Sequence, residues 1–176
     1  MDNHVRRFST RSVNRARILD IVAEFPGIHL REIERKLGVS FNSARYHANE
    51  LLKSGELVCE KQNNHSRLYP AGTTHEYRVL YSLVRDDADR KILIELCRES
   101  LSNKEISERT GLAKSTVSEH VQKLLALDLV KFTFSKGGSF SVELQKRDKI
   151  ESILLLKKRD RTSDVLVRNF TELWDF

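Results

Sequence analysis

Apolar residues recur at helical spacing along most of the chain, and the order of elements that this spacing predicts occurs twice. Runs with one apolar face predict helices, and short runs bounded by polar or glycine-containing stretches predict strands. In the first half the predictions are three helices and two strands, over Val13–Glu24, Leu30–Leu37, Phe41–Lys53, Leu57–Gln62 and Arg67–Pro70. In the second half they are Asp87–Glu99, a short helix from the Ser102 cap to Thr110, Lys114–Leu127, Leu129–Phe134 and Ser139–Leu144.

An internal repeat underlies this order. Leu30–Ser54 aligns with Asn103–Leu127 at an offset of 73, and the identical residues are Glu32/Glu105, Ile33/Ile106, Gly38/Gly111, His47/His120, Leu51/Leu124 and Leu52/Leu125. The apolar face of the longer helix also repeats at this offset, as Ala44, Ala48, Leu51 and Leu52 and then as Val117, Val121, Leu124 and Leu125. The repeat predicts two domains with one fold.

Each repeat has a short helix, a turn at a glycine and a longer amphipathic helix, which is the order of a helix-turn-helix. Ser40 is a good N-cap for the longer helix of the first repeat, whereas Ala113 stands at the equivalent position and offers no side-chain cap. The hairpin after each longer helix predicts a wing. We therefore predict a mainly α fold with small β-hairpin wings, in which two winged helix-turn-helix domains in tandem precede a helical C-terminal tail.

Two further helical segments complete the predicted organisation. A linking helix follows from the spacing of Tyr77, Leu80, Tyr81 and Val84, and the tail carries an apolar stripe formed by Leu166, Phe170, Leu173 and Trp174. The predicted domains are 1–74 and 87–145, with the linking helix at 75–86 and the tail at 146–176. We expect the stripe to hold a homodimer. The alternative is that the tail folds back on its own second domain.

The outer face of the longer helix can enter the major groove of DNA, where Arg pairs with guanine and Asn with adenine. In the first repeat the outward candidates are Asn42, Ser43, Arg45, Tyr46 and Asn49. In the second they are Lys114, Ser115, Thr116, Ser118 and Gln122, next to Glu119, which would repel phosphates. The first set favours DNA reading over an ordinary solvated face. For the second set, DNA contact and a role in packing or dimerisation are equally open.

The charge balance favours a polyanionic partner without locating its site. The chain has 31 basic and 25 acidic residues, a net charge of +6 and a pI near 9.4. Local groups suited to phosphate contact are an N-terminal arm and the two wings, represented by Arg6, Arg7, Arg11, Lys61, His65, Arg67 and Lys136. The alternatives are a solubilising tail for the arm and ordinary surface charge for the hairpin tips.

The sequence carries no recognisable catalytic or cofactor-binding motif. It lacks a P-loop, GxGxxG, GxSxG and HExxH, so we predict no enzymatic activity and no cofactor. The six histidines lie apart, so we predict no metal site and expect His47 and His120 to pack beside apolar faces. Cys59 and Cys97 are expected to be buried small hydrophobes, and the alternative is a redox switch. No apolar run has the length of a membrane span, and we expect a cytoplasmic protein.

Three stretches of the first repeat, PGIHLREIERKLGVS, ARYHANELLKSGELV and SRLYPAG, resemble archaeal winged-helix transcription regulators related to the bacterial MarR and ArsR types. SNKEISERTGLAKSTVSEHVQKLLALDLV in the second repeat resembles the same kind of domain, and NFTELWDF is similar to the tail of tandem winged-helix regulators in euryarchaea. The resemblance implies a homodimeric repressor or activator with the third helix of a repeat in the major groove. That role falls on Asn42 to Asn49, and less directly on Ser115 to Gln122.

Two hypotheses from different classes follow. The leading one is a non-enzymatic, sequence-specific regulator that binds double-stranded DNA. The alternative is a tandem winged-helix adaptor that binds proteins through the same faces, because the fold alone does not settle function. Binding to duplex DNA with a steep dependence on salt distinguishes the regulator from the adaptor.

Overall fold

The structure is a computed structural model that describes residues 10–62, 65–134 and 140–155. Its helices and strands are, in chain order, α1 (Thr10–Glu24), β1 (Ile28–His29), α2 (Leu30–Leu37), α3 (Phe41–Lys53), β2 (Leu57–Gln62), β3 (His65–Pro70), α4 (His75–Arg85), α5 (Asp87–Arg98), α6 (Asn103–Thr110), α7 (Lys114–Ala126), β4 (Val130–Phe134) and β5 (Phe140–Leu144). Residues 147–155 are helical as well. Among the described helices, none has both the length and the apolar character needed to cross a bilayer.

The chain divides into two compact units, Met1–Val79 and Leu80–Phe176, and α4 spans the division. Each unit has three helices followed by an antiparallel hairpin, so the predicted fold class is confirmed: mainly α, with two small wings in tandem. The finer bounds of the domains, the linking helix and the tail stay predictions.

The first unit forms around α1, α2 and α3. Their inward residues make one buried cluster with the base of the hairpin, which contains Ile18, Val22, Phe25, Ile28, Ile33, Leu37, Ala44, Ala48, Leu51, Leu57 and Leu68. The three-stranded sheet has the order β1-β3-β2, and Ile28 lies opposite Leu68 in the ladder. Because β3 is the central strand, the wing is joined to the body of the unit through β1.

The second unit repeats this arrangement. Its buried residues on α5, α6, α7 and the hairpin include Ile92, Leu96, Ile106, Val117, Val121, Leu124, Val130 and Val142. Leu101 and Val142 exchange two backbone hydrogen bonds, of 3.1 and 2.7 Å. This bridge stands where β1 pairs with β3 in the first unit, so the repeat extends to the attachment of the wing. Ile150 and Ile153, in the helical residues after β5, are buried as well.

The structure differs from the sequence predictions mainly at the ends of elements. The loop predicted over residues 63–66 is shorter, because Lys61 pairs with Ser66 and Gln62 with His65 in the β2–β3 ladder. Polar residues at a solvent-exposed hairpin end do not alternate with apolar ones, so the sequence could not predict these two additional pairs. The two-residue strand β1 was missed because it is too short to show a period. α1 begins at Thr10 rather than Val13, since its first turn has no apolar residue to mark it.

The expectation of two buried cysteines was wrong for Cys59. Its side chain is exposed although it lies opposite buried Leu68 in the ladder, because β2 is an edge strand and Cys59 stands farther along the hairpin than buried Leu57. Cys97 on α5 is half-buried. Burial, with a smaller contribution from the nearby Glu151 carboxylate, raises the pKa of the Cys97 thiol to about 11, and Arg147 opposes this rise.

Candidate nucleic-acid interface

The longer helix of the first unit, α3, is fixed by the turn before it and by one buried face. Gly38 ends α2 in the left-handed region with a φ of 70°, and its N–H donates to the Glu34 carbonyl at 3.0 Å. Ser40 caps α3, since its Oγ accepts a hydrogen bond from the Ser43 N–H at 3.3 Å. The inward face is buried and consists of Ala44, His47, Ala48 and Leu51. The opposite face is therefore presented to solvent in a defined orientation.

The outward face of α3 holds most of the predicted reading residues. Asn42, Arg45, Tyr46 and Asn49 are exposed, whereas Ser43 is half-buried. The Tyr46 ring lies edge-on to the ring of His47, with the centroids 5.2 Å apart, so the buried histidine supports the exposed aromatic ring. Within the described part of the chain, Arg45 has no hydrogen bond or ion pair. Its guanidinium donors are therefore not used by any other described residue of the unit.

Two arginines on α2 extend this basic surface, and sequence reasoning did not identify them. Arg31 and Arg35 are exposed. The Arg31 guanidinium stacks 4.2 Å from the centroid of the Phe41 ring at the start of α3, and it also pairs with Glu34 at 3.4 Å. In a helix-turn-helix the first helix crosses the phosphate backbone, so cations on α2 suit that contact. The i, i+4 spacing of the two arginines on the short helix was the available signal.

The first wing is tied to the body of its unit by polar contacts as well as by β1. An Nη1 hydrogen of Arg67 bonds the Gly27 carbonyl at 3.1 Å, and Nδ1 of His29 lies 3.0 Å from the Ser66 carbonyl. Arg67 is half-buried, whereas Lys61 is exposed. Phosphate contact by Arg67 stays a prediction, and such a contact would compete with its bond to Gly27. Lys61 is free of that constraint. The side chain of His65 is outside the described part of the structure.

The equivalent helix of the second unit, α7, presents a different surface. Lys114, Ser115, Ser118, Glu119 and Gln122 are exposed, and Thr116 is half-buried. The predicted absence of a side-chain cap at Ala113 is confirmed. The preceding helix α6 is capped by Ser102, whose backbone N–H donates to Glu105 at 2.8 Å. That hydrogen bond, and a second one from the Ser102 hydroxyl, lower the pKa of Glu105.

A buried ionic cluster holds α7 against α5, and sequence reasoning missed it. Asp89 on α5 is fully buried. One of its carboxylate oxygens lies 2.6 Å from Nδ1 of His120, and the other accepts a hydrogen bond from Nζ of Lys123 at 2.5 Å. His120 was expected only to pack, and that expectation was incomplete because its ring also makes this polar contact. An aspartate three residues after an N-cap is a common feature of the first turn of a helix. The neighbouring sequence therefore gave no sign that Asp89 is buried.

The same cluster contains the one group of potential metal ligands found among the described residues. Asp86, Asp89 and His120 each offer a ligand atom, and these atoms lie within 4.8 Å of one another. Asp86 already caps α5, because its carboxylate accepts the Asp89 N–H at 3.0 Å. The Asp89 carboxylate already faces the Lys123 ammonium. We therefore interpret the cluster as a structural ionic contact.

The second wing bears an exposed aromatic face. In the β4–β5 register, Phe132 lies opposite Val142 and Phe134 opposite Phe140, so these side chains share the face that the hairpin turns to the core at its base. Phe132, Phe134 and Phe140 are 46%, 72% and 61% exposed. The rings of Phe134 and Phe140 touch, with centroids 4.3 Å apart. The only cation placed on this hairpin's described residues, Lys131, pairs with Glu143 at 3.4 Å.

Several predicted site residues fall outside what the structure describes. These are Arg6 and Arg7 of the arm, Lys136 of the second wing, and the stripe Leu166, Phe170, Leu173 and Trp174. Arg11 lies in α1, but its side chain is not described. Their proposed contacts with DNA or with a second protomer stay predictions.

Known families match both halves of the chain. Residues 12–80 match a family model described as an N-terminal helix-turn-helix domain, and residues 85–131 match one described as winged helix-turn-helix DNA-binding. The two matches fall in order on the two repeats. No curated protein matches the chain significantly.

Two solved structures give weaker similarities. The DIP2311 protein of Corynebacterium diphtheriae is 16% identical over 75% of this chain, with a TM-score of 0.29, and this chain spans only 26% of its length. ScpB of Mycobacterium tuberculosis is 12% identical over 77% of this chain and 92% of its own, also with a TM-score of 0.29. At such TM-scores neither similarity bears on function.

Proposed function

Because the chain carries two winged helix-turn-helix DNA-binding domains in tandem, we propose that it is a sequence-specific transcription regulator that binds double-stranded DNA as a homodimer and catalyses no reaction. The observation that carries the proposal is the outward face of α3. This face carries the exposed residues Asn42, Arg45 and Asn49 on a helix that is capped at its N-terminus and buried on its opposite side. Arg45 has no intramolecular partner in the described residues. Asn and Arg are the side chains that read adenine and guanine edges in the major groove.

The contacts divide by what they recognise. Arg45, Asn42 and Asn49 would read base edges, with Ser43 and Tyr46 beside them. Sequence-independent contacts to phosphate would come from Lys61 and Arg67 in the wing, from Arg31 and Arg35 on α2, and from the N-terminal arm with Arg6, Arg7 and Arg11. A dimer would place two α3 helices on successive turns of the groove, so the operator would have two-fold symmetry. The proposed compartment is the cytoplasm.

The second domain would contribute less to reading. On α7, Lys114, Ser115, Thr116, Ser118 and Gln122 could still contact DNA, and Lys136 could touch phosphate from the wing. However, exposed Glu119 lies in the middle of that face and would repel the backbone. The first domain therefore carries the sequence specificity in this proposal.

Selection of bound sequences from a pool of random duplexes tests the proposal. We expect a symmetric motif and an affinity that falls steeply between low and physiological salt, because phosphate contacts release condensed counterions. Failure to bind any duplex at low salt would refute the regulator and favour the adaptor.

Arg45→Ala locates the reading helix. We expect this variant to lose about 1–3 kcal/mol of discrimination between the selected site and random DNA, because one guanine contact is lost. The matched control is Arg98→Ala, which removes one exposed cation from α5, where Arg98 pairs with Glu95. Equal, sequence-independent losses for the two variants would show that Arg45 contributes only charge.

One observation favours the second candidate function, a protein-binding adaptor, for the second domain. Its wing exposes three phenylalanines on one face, and exposed aromatic clusters are typical of protein contacts. Phe134→Ser should leave the affinity for duplex DNA unchanged if this face binds protein. A loss of DNA affinity comparable with that of Arg45→Ala would assign the second wing to DNA instead.

A further inference from the structure

The two domains join their first and third helices through ion pairs of opposite polarity at equivalent positions. In the first domain, Arg15 of α1 pairs with Glu50 of α3 at 3.4 Å. In the second domain, Asp89 of α5 pairs with Lys123 of α7 at 2.5 Å. The cation therefore lies on the first helix in one domain and on the third helix in the other.

The equivalence of these positions follows from the repeat. The third helices align at an offset of 73, which places Lys123 at the position of Glu50. The first helices align at an offset of 74, because the buried pair Ile18 and Val22 corresponds to Ile92 and Leu96. The equivalent buried residues Ile28 and Leu101 follow, and the connection from Leu96 to Leu101 is one residue shorter than that from Val22 to Ile28, which accounts for the difference between the offsets. The offset of 74 places Asp89 at the position of Arg15.

Apolar packing between these helices distinguishes the domains only weakly. The buried residues of α1 and α5 are Ile or Val against Ile or Leu, and those of α3 and α7 are Ala44, Ala48 and Leu51 against Val117, Val121 and Leu124. Val117 and Val121 are larger than Ala44 and Ala48, so a wrong pairing costs some packing energy, but the pattern of apolar positions is the same in both domains. A chain with two such domains could therefore pair α1 with α7, or α5 with α3, within one molecule or between two copies.

We propose that the reversed ion pairs are a specificity device that makes each third helix dock on a first helix of its own kind, and that opposes the wrong pairing of α1 with α7 or of α5 with α3, within one chain or between two copies. In this wrong pairing, called swapped below, Arg15 would face Lys123 and Asp89 would face Glu50. Both encounters are like-charged, and the second buries a carboxylate without its cation. The proposal concerns assembly of the fold and does not depend on DNA binding.

The free-energy penalty of a wrong pairing is largest in the second domain, because the charge there is buried. Asp89 is fully buried, so its carboxylate needs a cation and hydrogen-bond donors, which Lys123 and His120 supply. The first pair is more exposed, with side-chain exposures of 40% for Arg15 and 29% for Glu50. Glu50 also bonds Lys53 at 3.1 Å; this bond, with a smaller contribution from Arg15, lowers the pKa of the Glu50 carboxyl. The Glu50 carboxylate on α3 and the Asp89 carboxylate on α5 are therefore both held in place, and two carboxylates cannot form an ion pair with each other.

The test gives the ion pairs of both domains the same polarity, with the carboxylate on the first helix and the cation on the third. The double variant R15D/E50K keeps an opposite-charge pair in the first domain with the geometry that Asp89 and Lys123 already show in the second. Parent and variant are unfolded in urea, refolded at several protein concentrations and sized by light scattering. We expect the fraction of species larger than the parent's own assembly to rise by a factor on the order of 10, increasing with concentration, because both swapped encounters become attractive.

The matched control is R15Q/E50Q, which removes the first pair without making the swapped pairs attractive. We expect the fraction of large species in R15Q/E50Q to lie between those of the parent and of R15D/E50K. An R15D/E50K protein that folds, by circular dichroism, and gives the parent's mass distribution would overturn the proposal.

A second comparison decides the matter if R15D/E50K does not fold. Lys123→Glu and the double variant R15Q/K123E both place a glutamate against Asp89, but only the single variant keeps Arg15 to attract that glutamate. More large species from Lys123→Glu than from R15Q/K123E would support the device. Equal distributions would overturn it.

Discussion

Gly27 joins the strand β1 to the body of the first domain in a conformation that only glycine adopts easily. Its φ is +77°, and a Cβ at this position would lie 3.1 to 3.3 Å from atoms of the Tyr69 ring. Tyr69 is fully buried and its hydroxyl donates to the Arg78 carbonyl at 3.2 Å, so the ring has little room to move. The base of the first wing therefore depends on the absence of a side chain at one residue.

We expect Gly27→Ala to destabilise the first domain by about 1–3 kcal/mol more than Gly38→Ala. Both glycines have positive φ, so the two variants share the backbone strain, but a Cβ at Gly38 would meet nothing within 4 Å. The difference between the two free energies of unfolding in urea thus isolates the contact with Tyr69. Equal losses would mean that the ring yields without cost.

The two cysteines should react at very different rates. Cys59 is exposed on β2, whereas burial raises the pKa of Cys97 to about 11. A rise from 9.0 to about 11 lowers the thiolate fraction at pH 8 about 100-fold, and only the thiolate is nucleophilic. We expect a thiol reagent to modify the folded protein in a fast and a slow phase, and Cys59→Ser to lose the fast one. Retention of the fast phase in Cys59→Ser would contradict this assignment.

Single residues were predictable where their chemistry is local. The turn at Gly38, the cap at Ser40 and the missing cap at Ala113 depend on a few adjacent backbone groups, and all three are present as predicted. Asp89 was not predictable, because its burial arises from packing against α7, where its partners His120 and Lys123 lie 31 and 34 positions away. Arg67 shows the same limit, since its bond to Gly27 requires β1 to pair with β3.

At the scale of elements, the two long helices provide a matched comparison of capping. α3 begins at Ser40 with a side-chain cap, whereas α7 begins at Ala113 without one. Both cap residues have the same extended backbone, with φ of −62° and ψ near 150° (151° and 146°). A serine at position 113 therefore needs no change of backbone to cap α7.

We expect Ala113→Ser to stabilise the second domain by about 1 kcal/mol and Ser40→Ala to destabilise the first by a similar amount. Hydrogen exchange at the first amides of α7 and α3 reports each effect separately. Ala113→Gly is the control, because it alters the same position without a hydroxyl group. Slower exchange in Ala113→Gly than in Ala113→Ser would show that the side-chain hydrogen bond is not the cause.

Whole elements were predicted well when one face is buried. The bounds of α2 and α3 agree with the sequence prediction, because Ile33, Leu37, Ala44 and Leu51 mark the inward face. The hairpins were placed correctly, but their ends were not, since polar side chains there follow neither period. The aromatic face of the second wing could have been inferred from the alternation of Val130, Phe132 and Phe134.

At the scale of the molecule, the C-terminal stripe is the proposed dimer interface, and truncation after Asp160 tests it. We expect the truncated protein to be a folded monomer with a lower affinity for the operator, because two linked reading helices bind more tightly than one. Light scattering gives the mass and circular dichroism verifies the fold. A truncated protein that keeps the parent's dimer mass would place the interface elsewhere.

The tandem arrangement itself was predictable from the chain, since the repeat fixes the order of elements and the two family matches fall on it. The contacts of the proposed dimer were not, because a symmetric interface leaves no period in one sequence. The difference between the outward faces of α3 and α7 was only partly predictable. The sequence shows that Ser118 of the second repeat stands at the position of Arg45, but only the structure shows that the Arg45 donors are not used within the described chain.

The reversed ion pairs also bear on how the two halves can change over generations. Duplicated segments tend to become alike when one copy overwrites the other by recombination. Copying the α7 segment over α3 would place a lysine against Arg15, and copying α3 over α7 would place a glutamate against buried Asp89. Either exchange puts like charges together inside one domain. The opposed polarities therefore oppose homogenisation of the two segments, while the outward faces of α3 and α7 can diverge.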